Sequence, residues 1–185
     1  MGNWYNNITT LGPEQADVAA WCARHDRQAY VTPTREGVTV VFDREVDRAA
    51  DPGELGDLAL LASLELGCAV LAAAVYDDDV LLLALYEGGR QVGEYNSAGQ
   101  STLGAATLCR IFGVRARVPI VWFVLHSPRV PLFVFESFRH RALIRALRQP
   151  AWAVATGYAY IRRGERPRDL EESELLHVDG GRPER

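Results

Sequence analysis

Residues 68–87 read CAVLAAAVYDDDVLLLALYE, two apolar runs of strand length on either side of three aspartates. Apolar runs of this length between turn residues are typical of central strands, and aspartate accepts the backbone geometry of tight turns. Gly88-Gly89 turns the chain a second time, and Arg90–Tyr95 follows as a third strand. The sequence here therefore predicts an antiparallel meander in the middle of a sheet.

Before the meander, strand and helix signals alternate. Asp51 is placed to cap a helix that starts at Pro52, where a missing N–H costs nothing, and Gly67 supplies a left-handed stop. The predicted elements are a strand over 4–11, a helix from Pro13, strands over 28–33 and 38–43, and this second helix. With the first meander strand they give the order β-α-β-β-α-β, which is the ferredoxin-like order.

After the meander, the pattern is less regular. Three prolines interrupt the apolar segment 114–134, and because proline removes a ladder donor, any strand there is short or lies at a sheet edge. The remaining predictions are helices near 103–112, over 138–148 with Ser137 as the cap, and over 169–177, and a strand over 151–162.

These elements predict an α+β protein with an antiparallel sheet and helices mainly on one face. The ferredoxin-like start is extended by the meander and by a C-terminal α-β unit. A chain of 185 residues fits one domain. We expect a single unit over 1–178, with halves 1–98 and 132–178 joined by 99–131, and a flexible tail over 179–185.

The chain contains 20 arginines and no lysine, and its charge is divided along the sequence. Residues 1–100 carry 6 Arg against 16 acids, whereas residues 101–168 carry 12 Arg against 2 acids, Glu136 and Glu165. Without an ε-amine there is no P-loop lysine, no Schiff base and no kinase lysine. The opposite charges favour recognition instead, because the planar arginine fork binds carboxylates in pairs.

The sequence contains no metal or cofactor motif. The three cysteines are widely spaced and the histidines form no zinc-binding pattern, so no cofactor is expected. Reduced thiols and an N-terminus without a secretory pattern predict a cytoplasmic protein. The most apolar stretches, 68–76 and 118–125, are too short to span a bilayer, and we expect no membrane partner.

Five segments carry a resemblance: YNNIT (5–9), AYVTPT (29–34), DDD (77–79), EYNS (94–97) and GYAYIRRGE (157–165). Together they resemble a group of uncharacterised bacterial proteins. The likeness spans most of the chain except 114–134. No activity is established for that group, so the resemblance implies no catalytic residue; it does favour one unit over two independent domains.

The acidic turn allows two kinds of site. Asp77 and Asp79 share one strand face, and with Glu94 they are candidate oxygen ligands for a divalent cation, as in a metal-dependent enzyme. Three acids between two apolar strands are also typical of a plain hairpin turn. A third interpretation is an acidic knob that binds a partner.

The C-terminal segment supplies the other candidates. On a strand, one face would hold Trp152, Tyr158, Tyr160 and Arg162. If this face is open, it can stack the bases of single-stranded nucleic acid. If it is covered, it packs on 118–134. Arginines at helical spacing form either a phosphate-binding stripe or a solvated, self-complementary face. These arginines are Arg141, Arg145 and Arg148, with Arg139 beside them.

The leading hypothesis is a non-catalytic interaction or regulatory protein that recognises a protein partner or a second copy of itself through opposite charged surfaces. The predicted partner-binding residues are Tyr158, Tyr160, Arg162, Arg141, Arg145 and Arg148. One alternative is a single-stranded nucleic-acid binder that uses the aromatic and arginine face of 152–162. The other is a metal-dependent enzyme that uses Asp77, Asp79 and Glu94.

Overall fold

The structure is a computed structural model, and it describes residues 2–129 and 131–180. Seven described strands form one antiparallel sheet: β1 (Tyr5–Leu11), β2 (Ala29–Val31), β3 (Val38–Asp43), β4 (Ala69–Tyr76), β5 (Val80–Glu87), β6 (Arg90–Asn96) and β7 (Leu176–Val178). Their order across the sheet is β6-β5-β4-β1-β3-β2-β7, and every neighbouring pair is antiparallel.

Helices connect and cover the strands. They are α1 (Gln15–Arg24), α2 (Arg44–Ala49), α3 (Pro52–Glu65), α4 (Ala105–Ile111), α5 (Val118–His126), α6 (Glu136–Ala146) and α7 (Tyr158–Arg162). The predicted α+β class, the antiparallel sheet and the three-stranded meander are confirmed. The predicted opening order is also present, with α2 as an additional helix between β3 and α3.

The helices cover both faces of the sheet, which corrects the expectation that they lie mainly on one. On the back face, Ile8 and Ala72 pack with α1 and α3. On the front face, Tyr5 and Leu83 pack with α4, α5 and α6. The physical reason is visible in β4, whose interior residues are buried on both sides. A strand that is apolar on both sides needs cover on each.

The local signals that placed the first half of the chain act as predicted. Asp77 and Asp78 both have positive φ (50° and 58°), and the Asp79 N–H donates to the Tyr76 carbonyl at 2.8 Å. Two successive positive φ values give the tight turn whose twist matches a hairpin. At the start of α3, the Asp51 carboxylate accepts the N–H of Gly53.

Three helices, α2, α5 and α7, stand in segments that were not predicted as helical. α2 follows β3 directly, because the Asp43 carboxylate caps it by accepting the N–H groups of Glu45 and Val46. The segment 114–134 holds α5 rather than a short or edge strand. Pro119 lies in the first turn of α5, where a proline is tolerated, and Pro128 comes after its end.

The predicted strand over 151–162 is wrong. A 3₁₀ turn at Ala151–Ala153 and the helix α7 stand there instead, separated by the irregular residues 154–157. Trp152 and Tyr158 are buried with Val40 and Phe42 over β3 on the front face. The alternation of large and small residues therefore reflects packing onto the sheet and not membership of it.

The C-terminal segment returns to the sheet. Where a helix was predicted over 169–177, the structure has a 3₁₀ turn at Glu172–Glu174 and then β7, which pairs with β2. Of the predicted tail, the Asp179 carboxylate accepts a hydrogen bond from the Gln28 side chain, and Gly180 packs against the backbone of Asp26. Residues 181–185 lie outside the described residues.

Candidate interaction surface

Large apolar side chains are exposed on the front layer of helices. Seven of the twelve that the described residues expose lie between residues 120 and 138, each 45–55% accessible. We call them the apolar surface: Ile120, Trp122, Phe123, Leu132, Val134, Phe135 and Phe138. Full burial of one such side chain stabilises by about 1.5–3 kcal/mol. A concentration of this kind marks a contact site in a folded protein.

The apolar surface arises because α5 is apolar on all sides. Val121, Val124 and Leu125 face the front core, while Ile120, Trp122 and Phe123 on the opposite side face outward. A helix of this composition is either buried on all sides or has a partner. Trp122 also stacks on His126, with ring centroids 4.6 Å apart.

Arginine supplies the charge around the apolar surface. Arg115 and Arg117 precede α5, and the Arg117 guanidinium donates to the carbonyl of Arg145 at the end of α6. Of the two acids in residues 101–168, Glu136 is buried and Glu165 lies beyond α7 in the chain. The front layer is therefore strongly positive at its exposed positions.

A buried arginine, Arg139 of α6, fixes α5 against α6. The Arg139 guanidinium binds the Glu136 carboxylate at 2.8 Å, and both side chains are at most 3% accessible. It also donates to the carbonyls of Val124 and Ser127 at the end of α5, where a positive charge is favoured. Arg139, which the sequence grouped with surface arginines, is thus a structural residue.

The acidic turn fixes the other end of α6. The Asp78 carboxylate accepts the N–H and the side-chain amide of Asn3 and the N–H of Ser137 in the first turn of α6. Burial tends to raise the pKa of Asp78, but hydrogen bonds from Ser137 and Asn3 outweigh it and lower the pKa. Ser137 therefore does not cap α6 as predicted; Asp78 binds its N-terminus from across the fold.

The structure does not assemble the aromatic face predicted for nucleic acid. Tyr158 is buried against Tyr30, and Trp152 is buried as well. Tyr160 is half-buried; its hydroxyl accepts the N–H of Trp4, and Arg163 stacks on its ring. Arg162 is exposed at the end of α7. Because 151–162 forms a 3₁₀ turn, an irregular link and α7 in place of a strand, these rings do not share one open face.

The predicted arginine stripe is only partly exposed. Arg145 and Arg148 are exposed at the end of α6, and Arg145 lies beside Arg117 at the border of the apolar surface. Arg141 is half-buried, and its Nε atom is buried without a partner in the described residues. Arg148 has a φ of 58°, so it ends the helix rather than continuing it.

The three acids predicted as metal ligands each contact a different partner. Asp77 accepts the N–H of Gly2, Asp79 pairs with Arg129, and Glu94 accepts a hydrogen bond from Gln91. No group of three His, Cys, Asp or Glu that fits a metal ion occurs in the described residues. Among these residues, the acids of 77–79 serve a hairpin turn and its contacts.

Tyr5 and His140 form the most strongly perturbed pair of titratable groups. The Tyr5 hydroxyl and His140 Nδ1 are 2.9 Å apart, the rings stack, and both residues are fully buried. Burial raises the pKa of Tyr5 and lowers the pKa of His140 to about 3. Both groups are therefore neutral near pH 7.

We expect His140 to make the fold less stable below pH 6.5. The unfolded chain takes up a proton at the ordinary histidine pKa, whereas the folded chain resists it down to about pH 3. The free energy of unfolding should thus fall by about 1.4 kcal/mol per pH unit below 6.5. Urea titrations at pH 7, 6 and 5 measure the free energy of unfolding of the unmodified protein and of the double variant Tyr5→Phe/His140→Phe. In the variant, the part of the pH dependence that His140 causes should be absent. An equal pH dependence of the free energy of unfolding in both proteins would contradict this prediction.

Comparison of the chain with protein-family models, with curated proteins and with solved structures finds no match. No described helix has the length and apolarity needed to cross a bilayer. The sequence did contain one signal for the apolar surface, since VPIVWFVLH (118–126) is too uniformly apolar for a helix with one solvated side.

Proposed function

We propose that this protein is a non-catalytic interaction protein that recognises a second copy of itself through opposite charged surfaces. The proposal rests on the apolar surface, which consists of seven half-exposed side chains on the front layer of helices. Arginines lie at the border of this surface. The proposal keeps the charge-based recognition that the sequence suggested and moves its centre from 152–162 to 120–138.

The complementary surface on the second copy lies on α3. The outward side of this helix exposes Leu60 and Leu64 together with the carboxylates of Glu54, Asp57 and Glu65, the last of which binds His25. The sequence of α3 contains no arginine. We call these five residues the acidic strip. Apolar side chains in the centre exclude water while the charges around them set orientation and partner choice.

Contact between the apolar surface of one copy and the acidic strip of the next is head-to-tail. Two apolar surfaces facing each other would place arginine against arginine, which disfavours a symmetric pairing. Head-to-tail contacts generate closed rings or open filaments. The assembly should therefore weaken as salt screens the charges at its border.

Two variants, each defective on one side, test this directly. Trp122→Ser/Phe123→Ser removes the apolar surface, and Glu54→Gln/Leu64→Ser removes the acidic strip. In sedimentation velocity at low salt, the unmodified protein should associate and each variant alone should be monomeric. An equimolar mixture of the variants should form a one-to-one dimer and nothing larger, because one intact surface of each kind remains. Leu176→Ser, an exposed apolar residue elsewhere, should associate like the unmodified protein.

Three results would count against the proposal. They are a monomer at every concentration and salt, association that strengthens with salt, and a mixture that stays monomeric. Binding of the unmodified monomer to anionic lipid vesicles, abolished by Trp122→Ser/Phe123→Ser, would reassign the apolar surface to a membrane.

A further inference from the structure

A groove of about 500 Å³ lies on the back face of the sheet beside α3. Its floor is a row of small side chains, because Ala72 of β4 pairs with Ala84 of β5, and Ala84 pairs with Glu94 of β6. The helix α3 packs over β1, β4 and part of β5, and the groove opens between α3 and the outer strands. The volume falls within the range of small-molecule sites.

The Tyr86 hydroxyl faces this groove. The residue is only 5% accessible, and its hydroxyl has no hydrogen-bond partner among the described residues. The residue opposite is Gly56, where any Cβ atom would stand 2.8 Å from that hydroxyl oxygen. A glycine inside a helix costs about 1 kcal/mol relative to alanine. Here Gly56 leaves room for the Tyr86 hydroxyl, which has no hydrogen-bond partner within the described protein.

The border of the groove is negative and not neutralised. Asp57 of α3 and Glu94 of β6 line opposite sides, and neither forms an ion pair in the described residues. Both carboxylates are close enough to Tyr86 to add to the effect of burial in raising the pKa of its phenol. A positive ligand group is the natural complement of this arrangement.

We infer that the groove binds a small organic cation, an amine carried on an apolar body. The ammonium group lies between Asp57 and Glu94, the Tyr86 hydroxyl accepts one of its hydrogens, and the apolar body covers Ala72 and Ala84. An anion of the same shape is rejected by the two carboxylates. This site contains no residue of the apolar surface, but it shares Asp57 and Leu60 with the acidic strip. The inference of amine binding goes beyond self-recognition.

The test uses tryptamine and phenethylamine as probes, with indole-3-propionate as a control that carries the same ring and a negative charge. The readout is the NMR shift of alanine methyl groups, three of which line the groove. Both amines should shift these methyls with dissociation constants on the order of 1 mM or tighter. Indole-3-propionate should leave the methyls unchanged.

Matched variants locate the binding. Ala84→Leu fills the half-exposed floor and should abolish the shifts of the remaining groove methyls. Asp57→Asn/Glu94→Gln should weaken amine binding at least tenfold, whereas Glu14→Gln, an exposed acid on the turn before α1, should not change it. Trp122→Ser/Phe123→Ser, in which no second copy covers the acidic strip, should bind both amines. Amine binding by this variant is measured without self-association, so a failure of the inference can be told from a failure of the proposed function.

The inference is overturned if neither amine shifts the groove methyls. It is equally overturned if indole-3-propionate binds as well as tryptamine, or if amine binding survives Ala84→Leu. Melting temperatures of all variants should match the unmodified protein, and unchanged folding makes a loss of binding specific to the groove.

Discussion

Replacing Arg139 by methionine is expected to lower the free energy of unfolding by about 3–5 kcal/mol. The change leaves the Glu136 carboxylate buried without its partner, and it removes the donors that satisfy the carbonyls of Val124 and Ser127. A buried charge without a partner costs far more than an exposed ion pair contributes. Urea unfolding at pH 7 measures the effect.

Two further variants make this result specific. Arg145→Met changes an exposed arginine of the same helix and should alter stability by no more than about 0.5 kcal/mol. Glu136→Leu combined with Arg139→Met removes both charges and should recover a substantial part of the loss. A cost below about 1 kcal/mol for Arg139→Met would show that Arg139 does not hold α5 against α6.

Asp78→Ala should destabilise the protein by about 2–4 kcal/mol, because three accepted hydrogen bonds, two from Asn3 and one from Ser137, are lost together. The lowered pKa of Asp78 gives this contribution a pH window. It is present above the ordinary carboxyl pKa near 4 and is lost as the pH falls below it.

The neighbouring aspartate is the matched control for Asp78. Asp79→Ala removes an exposed carboxylate that pairs with Arg129 and should cost less than about 1 kcal/mol. Asp78→Asn keeps a residue that accepts positive φ, so it separates the loss of charge from the loss of turn geometry. Equal stabilities of Asp78→Ala and Asp79→Ala would refute the role assigned to Asp78.

The sequence predicted the elements whose signals are local. The meander follows from apolar runs bounded by Asp77–Asp79 and Gly88-Gly89, and α3 follows from Asp51 and Pro52. These signals act within a few residues of one another, so distant packing does not override them. The helix α2 was also predictable from a local signal, because Asp43 is placed as a cap before REVDRA (44–49).

The elements that failed depend on distant partners. Alternation over 151–162 predicted a strand, but Trp152 and Tyr158 are placed by burial on Val40 and Phe42 of β3. β7 is three residues long, and it exists as a strand through its pairing with β2. Short elements of this kind are not determined by their own residues.

The candidate sites follow the same division. The acidic turn at 77–79 was predictable because a turn is local, whereas its contact with Ser137 joins residues 59 positions apart. The apolar surface was predictable in composition but not in place. The groove needed the pairing of Ala72, Ala84 and Glu94, which no single segment contains.

Trp122 reports most directly on whether a second copy covers the apolar surface. In a Trp4→Phe background it is the remaining exposed tryptophan, since Trp21 and Trp152 are buried. We expect the tryptophan emission maximum to lie at short wavelength when the protein is concentrated and the salt is low. Dilution or added salt should move this maximum to longer wavelength. The same background carrying Trp122→Phe should show no such shift. Emission typical of an indole in water at every concentration would contradict self-recognition through the apolar surface.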